Sequence, residues 1–156
     1  MADDLPTLDE LLSGCGLTDR AEKIDANMVR LQYGSAFVIV GTSGSAIVAI
    51  APMFRNLPAG KELAFFRRLL EHNAYMGGMA SFAIQPDGWV VLHAGRPIRG
   101  IDPQEFATLV AGVGRFADQF DDKLIAEFYA GDADAAGATI DPSGNLPEDD
   151  QPGADS

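Results

Sequence analysis

His72, His93 and Cys15 are the side chains of this 156-residue chain best suited to catalysis or to holding zinc. Such a centre draws three or more ligands from His, Cys, Asp and Glu at recognisable spacing. The two histidines belong to no such cluster, and Cys15 stands between Gly14 and Gly16 with no base near it in sequence. A thiol without a neighbouring base or cation is a poor nucleophile. Gly41-Thr42-Ser43-Gly44-Ser45 has the glycines of a phosphate loop but not its Gly-Lys-Ser/Thr ending. A β-rich run follows it, so no helix N-terminus is offered to an anion, and it reads as a hairpin turn. Arg67-Arg68 and Arg96-Pro97-Ile98-Arg99 are cation pairs that could grip an acidic partner or simply face water. Asn73, near a helix end, reads as a cap or a packed polar residue with its amide satisfied. The expectation is a protein that is not an enzyme and needs neither metal nor cofactor.

The net charge of −12 is unevenly spread. Residues 131–156 hold seven Asp or Glu and no Lys or Arg, leaving 11 basic against 16 acidic residues over 1–130. Phosphate binding needs clustered cations that release counterions, so nucleic acid is not expected as a partner, nor is an anionic membrane. The single cysteine excludes an internal disulfide, and no hydrophobic leader or long apolar span stands out. The expected location is the cytoplasm.

Several elements must position whatever works here. Thr7, with Glu10 three residues on, opens a short helix ended by Gly14 and Gly16. Ile24 to Tyr33 alternates loosely and reads as one strand. Ala36–Val40 and Ala46–Ile50 form a hairpin. Lys61 to Tyr75 has helical spacing, with Leu63, Phe66, Leu70 and Ala74 on one stripe and Phe65, Leu69 and Met76 beside it. Gly77-Gly78 stops it. Met79–Ile84 and Trp89–His93 pair across Gln85-Pro86-Asp87-Gly88. Asp102 caps the longest helix, Pro103 takes its first position and Glu105 completes the box. An apolar stripe runs from Phe106 to Phe128, and Gly112 and Gly114 mark a kink or close packing. From Gly131 the chain turns to Gly, Ala, Asp and Pro, which cannot bury enough to offset ordering entropy. The expected organisation is an α+β domain over 1–130, in the order α-β-β-β-α-β-β-α, with an antiparallel sheet packed by helices, followed by a disordered acidic tail over 131–156.

Both hairpins are nearly all apolar, yet three helices must cover them. Met53, Phe54, Met76, Met79 and Trp89 fall at strand ends and turns, close to solvent or a partner. A second copy or a client therefore stands as a candidate cover. The residues expected at a dimer or client contact are Phe37, Ile39, Ile47, Phe54, Trp89 and Val91, a choice that a one-residue slip of register would invert.

Ala36–Ile50, Leu69-Leu70-Glu71-His72-Asn73, Ala80-Ser81-Phe82-Ala83-Ile84, Trp89–Pro97, Ile101-Asp102-Pro103 and Phe116-Ala117-Asp118 together resemble the type III secretion chaperone superfamily, which spans the CesT/Tir chaperones and YbjN-like proteins. Leu69, Leu70 and Asn73 fit its Leu-Leu-x-x-Asn helix end, and Ile101 stands where a leucine is usual. The likeness covers roughly residues 5–129, in core and capping positions that speak to fold more than to function. It implies an acidic homodimer that holds an extended segment of a client protein. A YbjN-like regulator acting through a stable protein partner is the alternative. The acidic tail is no part of that pattern.

Overall fold

The computed structural model describes residues 4–138, which build a six-stranded antiparallel sheet with its helices on one face. Helix α1 (Leu8–Gly14) begins as its sequence dictates: Thr7 Oγ1 accepts from Glu10 N–H, and the Glu10 carboxylate accepts from Thr7 N–H at 2.8 Å. After a 3-10 turn (Thr18–Arg20) come strands β1 (Glu22–Asp25), β2 (Met28–Tyr33), β3 (Ala36–Ser43) and β4 (Ala46–Phe54). Helix α2 (Glu62–Met76), strands β5 (Ser81–Ile84) and β6 (Val90–Pro97), helix α3 (Pro103–Phe128) and a short helix α4 (Ala133–Ala136) complete the order. Across the sheet the strands run β1-β2-β3-β4-β6-β5.

The strand expected over Ile24–Tyr33 is two strands. Asp25 Oδ1 accepts from Asn27 N–H at 2.8 Å, closing a turn that folds β1 back on β2. Such a local side-chain bond competes with the extended ladder. Strands β3 and β4 run further than expected and leave a turn at Gly44-Ser45.

The inner face of the sheet carries Val29, Leu31, Val38, Val40, Ile47, Ala49, Ala51, Val90 and Leu92, all buried under α3 and its neighbours. Full burial of one such side chain is worth roughly 1.5–3 kcal/mol. Phe54 and Phe65 anchor this core; Phe65 meets Phe128 edge-on at 5.2 Å and Phe54 lies 5.5 Å from Tyr129. Phe54, Met53 and Met76, expected near solvent or a partner, are thus core residues, while Met79 is 39% exposed. Asp102 caps α3 by accepting from Glu105 N–H at 2.7 Å, whereas the Glu105 carboxylate turns to Arg96 at 3.8 Å. Gly114 marks close packing: the Tyr33 ring leaves no room for a Cβ there.

The folded part continues past residue 130, where the tail was expected to begin. Asp132 caps α4, Ala136 is fully buried, and Ala138 bridges to Phe54. Asn56 ties this segment down, donating its N–H to Ala136 O at 3.0 Å and accepting the Tyr129 hydroxyl on its own carbonyl at 2.5 Å. Composition missed it because a single buried alanine and backbone hydrogen bonds do the holding. The rest of the expected tail lies outside the described residues. No helix among the described residues is long and apolar enough to cross a membrane.

Candidate protein-binding surface

Side chains alternate between the two faces of a sheet, and paired residues share a face. The register therefore fixes the outer face row by row. One row crosses the sheet as Glu22, Arg30, Ile39, Ile50, His93 and Ser81, with the Glu22 carboxylate 3.7 Å from the Arg30 guanidinium. The next, towards the β3–β4 turn, holds Gly41, Val48 and Gly95. On the other side lie Gln32 with Phe37, then Pro52, Val91 and Ala83. No described helix packs over this face; Phe37 and Val91 are shielded (3% exposed each) yet lie outside the core cluster. Part of the shield over Phe37 is Arg30, whose guanidinium stands 5.1 Å above the ring. That cation–π contact keeps a charge at the rim of an apolar surface.

The six expected contact residues divide between the faces. Phe37, Ile39 and Val91 lie on the outer face, Ile39 half-buried. Trp89 is half-buried at the β5–β6 turn, which Asp87 closes by accepting its N–H at 3.1 Å. Ile47 and Phe54 are fully buried under the helices. In this arrangement those two present no surface. Strands apolar on both faces give no phase by which sequence could tell inner from outer.

The two edges of the sheet are finished differently. At β5, Asn73 of α2 takes the place of a neighbouring strand: its Oδ1 accepts from Phe82 N–H at 2.6 Å and its Nδ2 donates to Phe82 O at 3.4 Å. Between α2 and this edge runs an apolar groove of about 280 Å³, lined by Phe66, Leu69, Leu70, Phe82 and Ile84 among others. Beside it Leu63 is 84% exposed, Leu70 68% and Tyr75 69%. Sequence placed Leu63, Phe66 and Leu70 on the leading stripe of this helix, but the stripe beside it, Phe65, Leu69 and Met76, is the one buried. A helix apolar around so much of its girth was the missed signal, since only part of such a girth can face one core. The opposite edge, β1, is exposed along its whole length and includes Ile24.

Titratable groups serve structure. His72 stacks on Phe120 at 4.2 Å; burial, then the nearby Arg68 guanidinium, pushes its pKa below the ordinary imidazole value. Burial raises the Cys15 thiol and lifts the Tyr129 phenol to about 12. Arg68 joins α2 to α3, reaching Glu71 at 2.8 Å and Glu127 at 2.9 Å. Among the described residues no group of three His, Cys, Asp or Glu could hold a metal ion.

Known proteins share this arrangement. Similar over 76% of this chain and 97% of its own, at 18% identity and a TM-score of 0.58, is a chain in the structure of the heterodimeric complex ExoU–SpcU from the type III secretion system of Pseudomonas aeruginosa. A chain of the ExsC–ExsE complex matches over 72% of this chain and 86% of its own, at 18% identity and a TM-score of 0.51. At such identities the likeness shows the fold. A comparison with curated proteins returned no match. The profile of the Tir chaperone protein (CesT) family matches residues 7–119, most of the helix-and-sheet unit described above, and the chain belongs to that family.

Proposed function

We propose that this protein is a non-catalytic chaperone that works in the cytoplasm as a homodimer and holds an extended segment of a client protein. The observation that carries the reading is the outer sheet face: Ile39, Val48 and Ile50 lie side by side across β3 and β4 with no described helix over them. A contiguous apolar surface of this kind on a folded domain marks an interaction site. Family membership and the fold shared with a chain of a type III secretion complex point the same way. An extended client can reach that face from β1, since the far edge is already closed by Asn73 and α2. Strand addition at an open edge supplies affinity through the backbone, and pockets on the adjoining face supply selectivity. The uncovered stripe of α2, with Leu63, Leu70 and Tyr75, fits the second copy.

The test is capture from native cells at modest salt, with the tagged protein and with Ile39→Asp combined with Ile50→Asp. The parent should co-elute one abundant protein bound through a long unfolded segment, and the double variant should lose at least tenfold of it while circular dichroism stays unchanged. Equal capture by both would remove the sheet face from the function.

A further inference from the structure

The two halves of α2 are fastened differently. Phe65 anchors the first half, meeting Phe128 at 5.2 Å and Tyr129 at 6.1 Å. Further along, the His72 ring stacks on Phe120 of α3 at 4.2 Å and 27°, with Phe82 of β5 at 6.2 Å. One residue on, Asn73 closes the β5 edge through the Phe82 N–H and C=O. Gly77 and Gly78 then end the helix at φ 61° and 85°, where glycine turns at no steric cost. The charges around His72 are matched without it. On α2, Glu71 accepts from Arg68 at 2.8 Å and from Arg67 at 3.1 Å. On α3, Glu127 accepts twice from Arg68, at 3.0 and 2.9 Å. Lys123 holds its ammonium 6.0 Å from the same Phe120 ring, and Tyr75 meets that ring at 6.3 Å. Strand β5 is Ser-Phe-Ala-Ile and brings no titratable side chain. A proton on His72 thus meets Arg68 and Lys123 as like charges, while both acids already serve guanidinium groups. Phe120 would attract an imidazolium. Burial and then the Arg68 charge outweigh that attraction and hold the imidazole pKa below its ordinary value.

We propose that His72 is an acid-sensitive latch: neutral, it holds the end of α2 against Phe120, and protonated, it frees residues 69–76 and, with Asn73, the β5 edge. Released, those turns bare Leu69 and Met76 and leave the Phe82 N–H and C=O to another strand. Acid then gives the sheet a second open edge besides β1. That consequence rests on the reading of sheet edges as client sites; the latch itself does not. The sign follows from where the proton is held. A freed imidazole returns to the ordinary value, about 6.5, so around and below it the freed form binds more protons than the latched one. The latch has its full strength above that value and weakens as pH falls through it. One unit below, the gain in the freed population is about tenfold at most.

Native-state hydrogen exchange of the full chain tests this, with amide rates corrected for their intrinsic pH dependence. Between pH 7.5 and 5.5 the opening of residues 69–76 should rise severalfold. Its dependence on urea should stay shallow, since a local release exposes little surface. Amides of α3 around Val110 and Val113 should open only by a route that depends steeply on urea. His72→Phe keeps a ring on Phe120 with no proton to gain and should show no rise. Lys123→Gln removes a like charge and should lessen the rise. An opening of residues 69–76 that ignores pH would overturn the proposal, as would an equal rise in His72→Phe. So would exchange of these residues only by the steep route of α3, because the helix would then leave with the whole fold. Should His72→Phe fail to fold, the imidazole signals of the parent decide: a midpoint at or above the ordinary value sinks the latch. No client enters these measurements, so their failure leaves the chaperone reading standing, and failed client capture leaves the latch standing.

Discussion

Three oxygens at the β2–β3 turn set a proton-counting problem. Ser35 Oγ stands 2.8 Å from Asp118 Oδ1 and 2.5 Å from Asp121 Oδ2, and Asp118 Oδ1 also accepts Ser35 N–H. One hydroxyl proton cannot serve both carboxyls at once, so the arrangement favours the protonated form of Asp121 over the ionised one. Burial pushes the Asp121 pKa above the ordinary carboxylate value, Ser35 and the Asp122 N–H pull it back, and Asp122 and Asp118 push it up again. The folded chain therefore keeps this proton to a higher pH than the unfolded chain. In the window between the ordinary value, about 4, and the raised one, the native state binds more protons, so stability falls as pH rises. Below that window the contribution is fully present. Asp121→Asn keeps a donor for Ser35 and an acceptor for Asp122 N–H without the titration. Its melting temperature should exceed the parent's near pH 7, and the gap should close towards pH 4. Parallel melting curves across that range would mean that Asp121 ionises as freely folded as unfolded.

Elements differ in how much of themselves the sequence discloses. The α3 start was legible because a cap, a proline and a following stripe all agree on one frame. The split between β1 and β2 was not, since Ala26-Asn27 carries neither Gly nor Pro and the turn rests on one Asp25 bond. Nor could Phe37 be assigned to the outer face and Ile47 to the inner one: in strands apolar on both faces the phase comes from where α3 lies, a tertiary fact. Asn73 was legible as a satisfied amide, but its partner was not, because the contact joins a helix to a strand edge. That contact has a measurable weight. Asn73→Ala leaves the Phe82 N–H and C=O unmatched at a half-buried edge and should cost about 1–3 kcal/mol in urea unfolding. Asn73→Asp keeps the acceptor for Phe82 N–H and loses the donor, so it should fall between parent and Asn73→Ala. A variant as stable as the parent would mean that water replaces the amide at no cost. The bared edge should also promote self-association, the usual liability of an unpaired strand.

At the scale of the molecule, two apolar surfaces stand uncovered among the described residues of a monomer, and they ask for different partners. The sheet face is broad, open and crossed by strands, suited to an extended segment. The α2–β5 side is a helix stripe over a groove, with Leu63, Leu70, Tyr75 and Ile84 all more than a third exposed. In a twofold pairing the same patch meets itself, and each Leu70 would then meet the other copy's groove between Phe66 and Ile84. Stable pairing buries roughly 800 Å² on each copy. The parent should therefore sediment as a dimer at micromolar concentration, with a melting temperature that rises with concentration, as mass action requires. Leu63→Asp with Leu70→Asp should give a monomer that keeps its circular dichroism, because both side chains point away from the core. If that variant still sediments as a dimer, the copies meet elsewhere. The outer sheet face would then be the surface to test next, with the consequence that dimerisation and client binding compete.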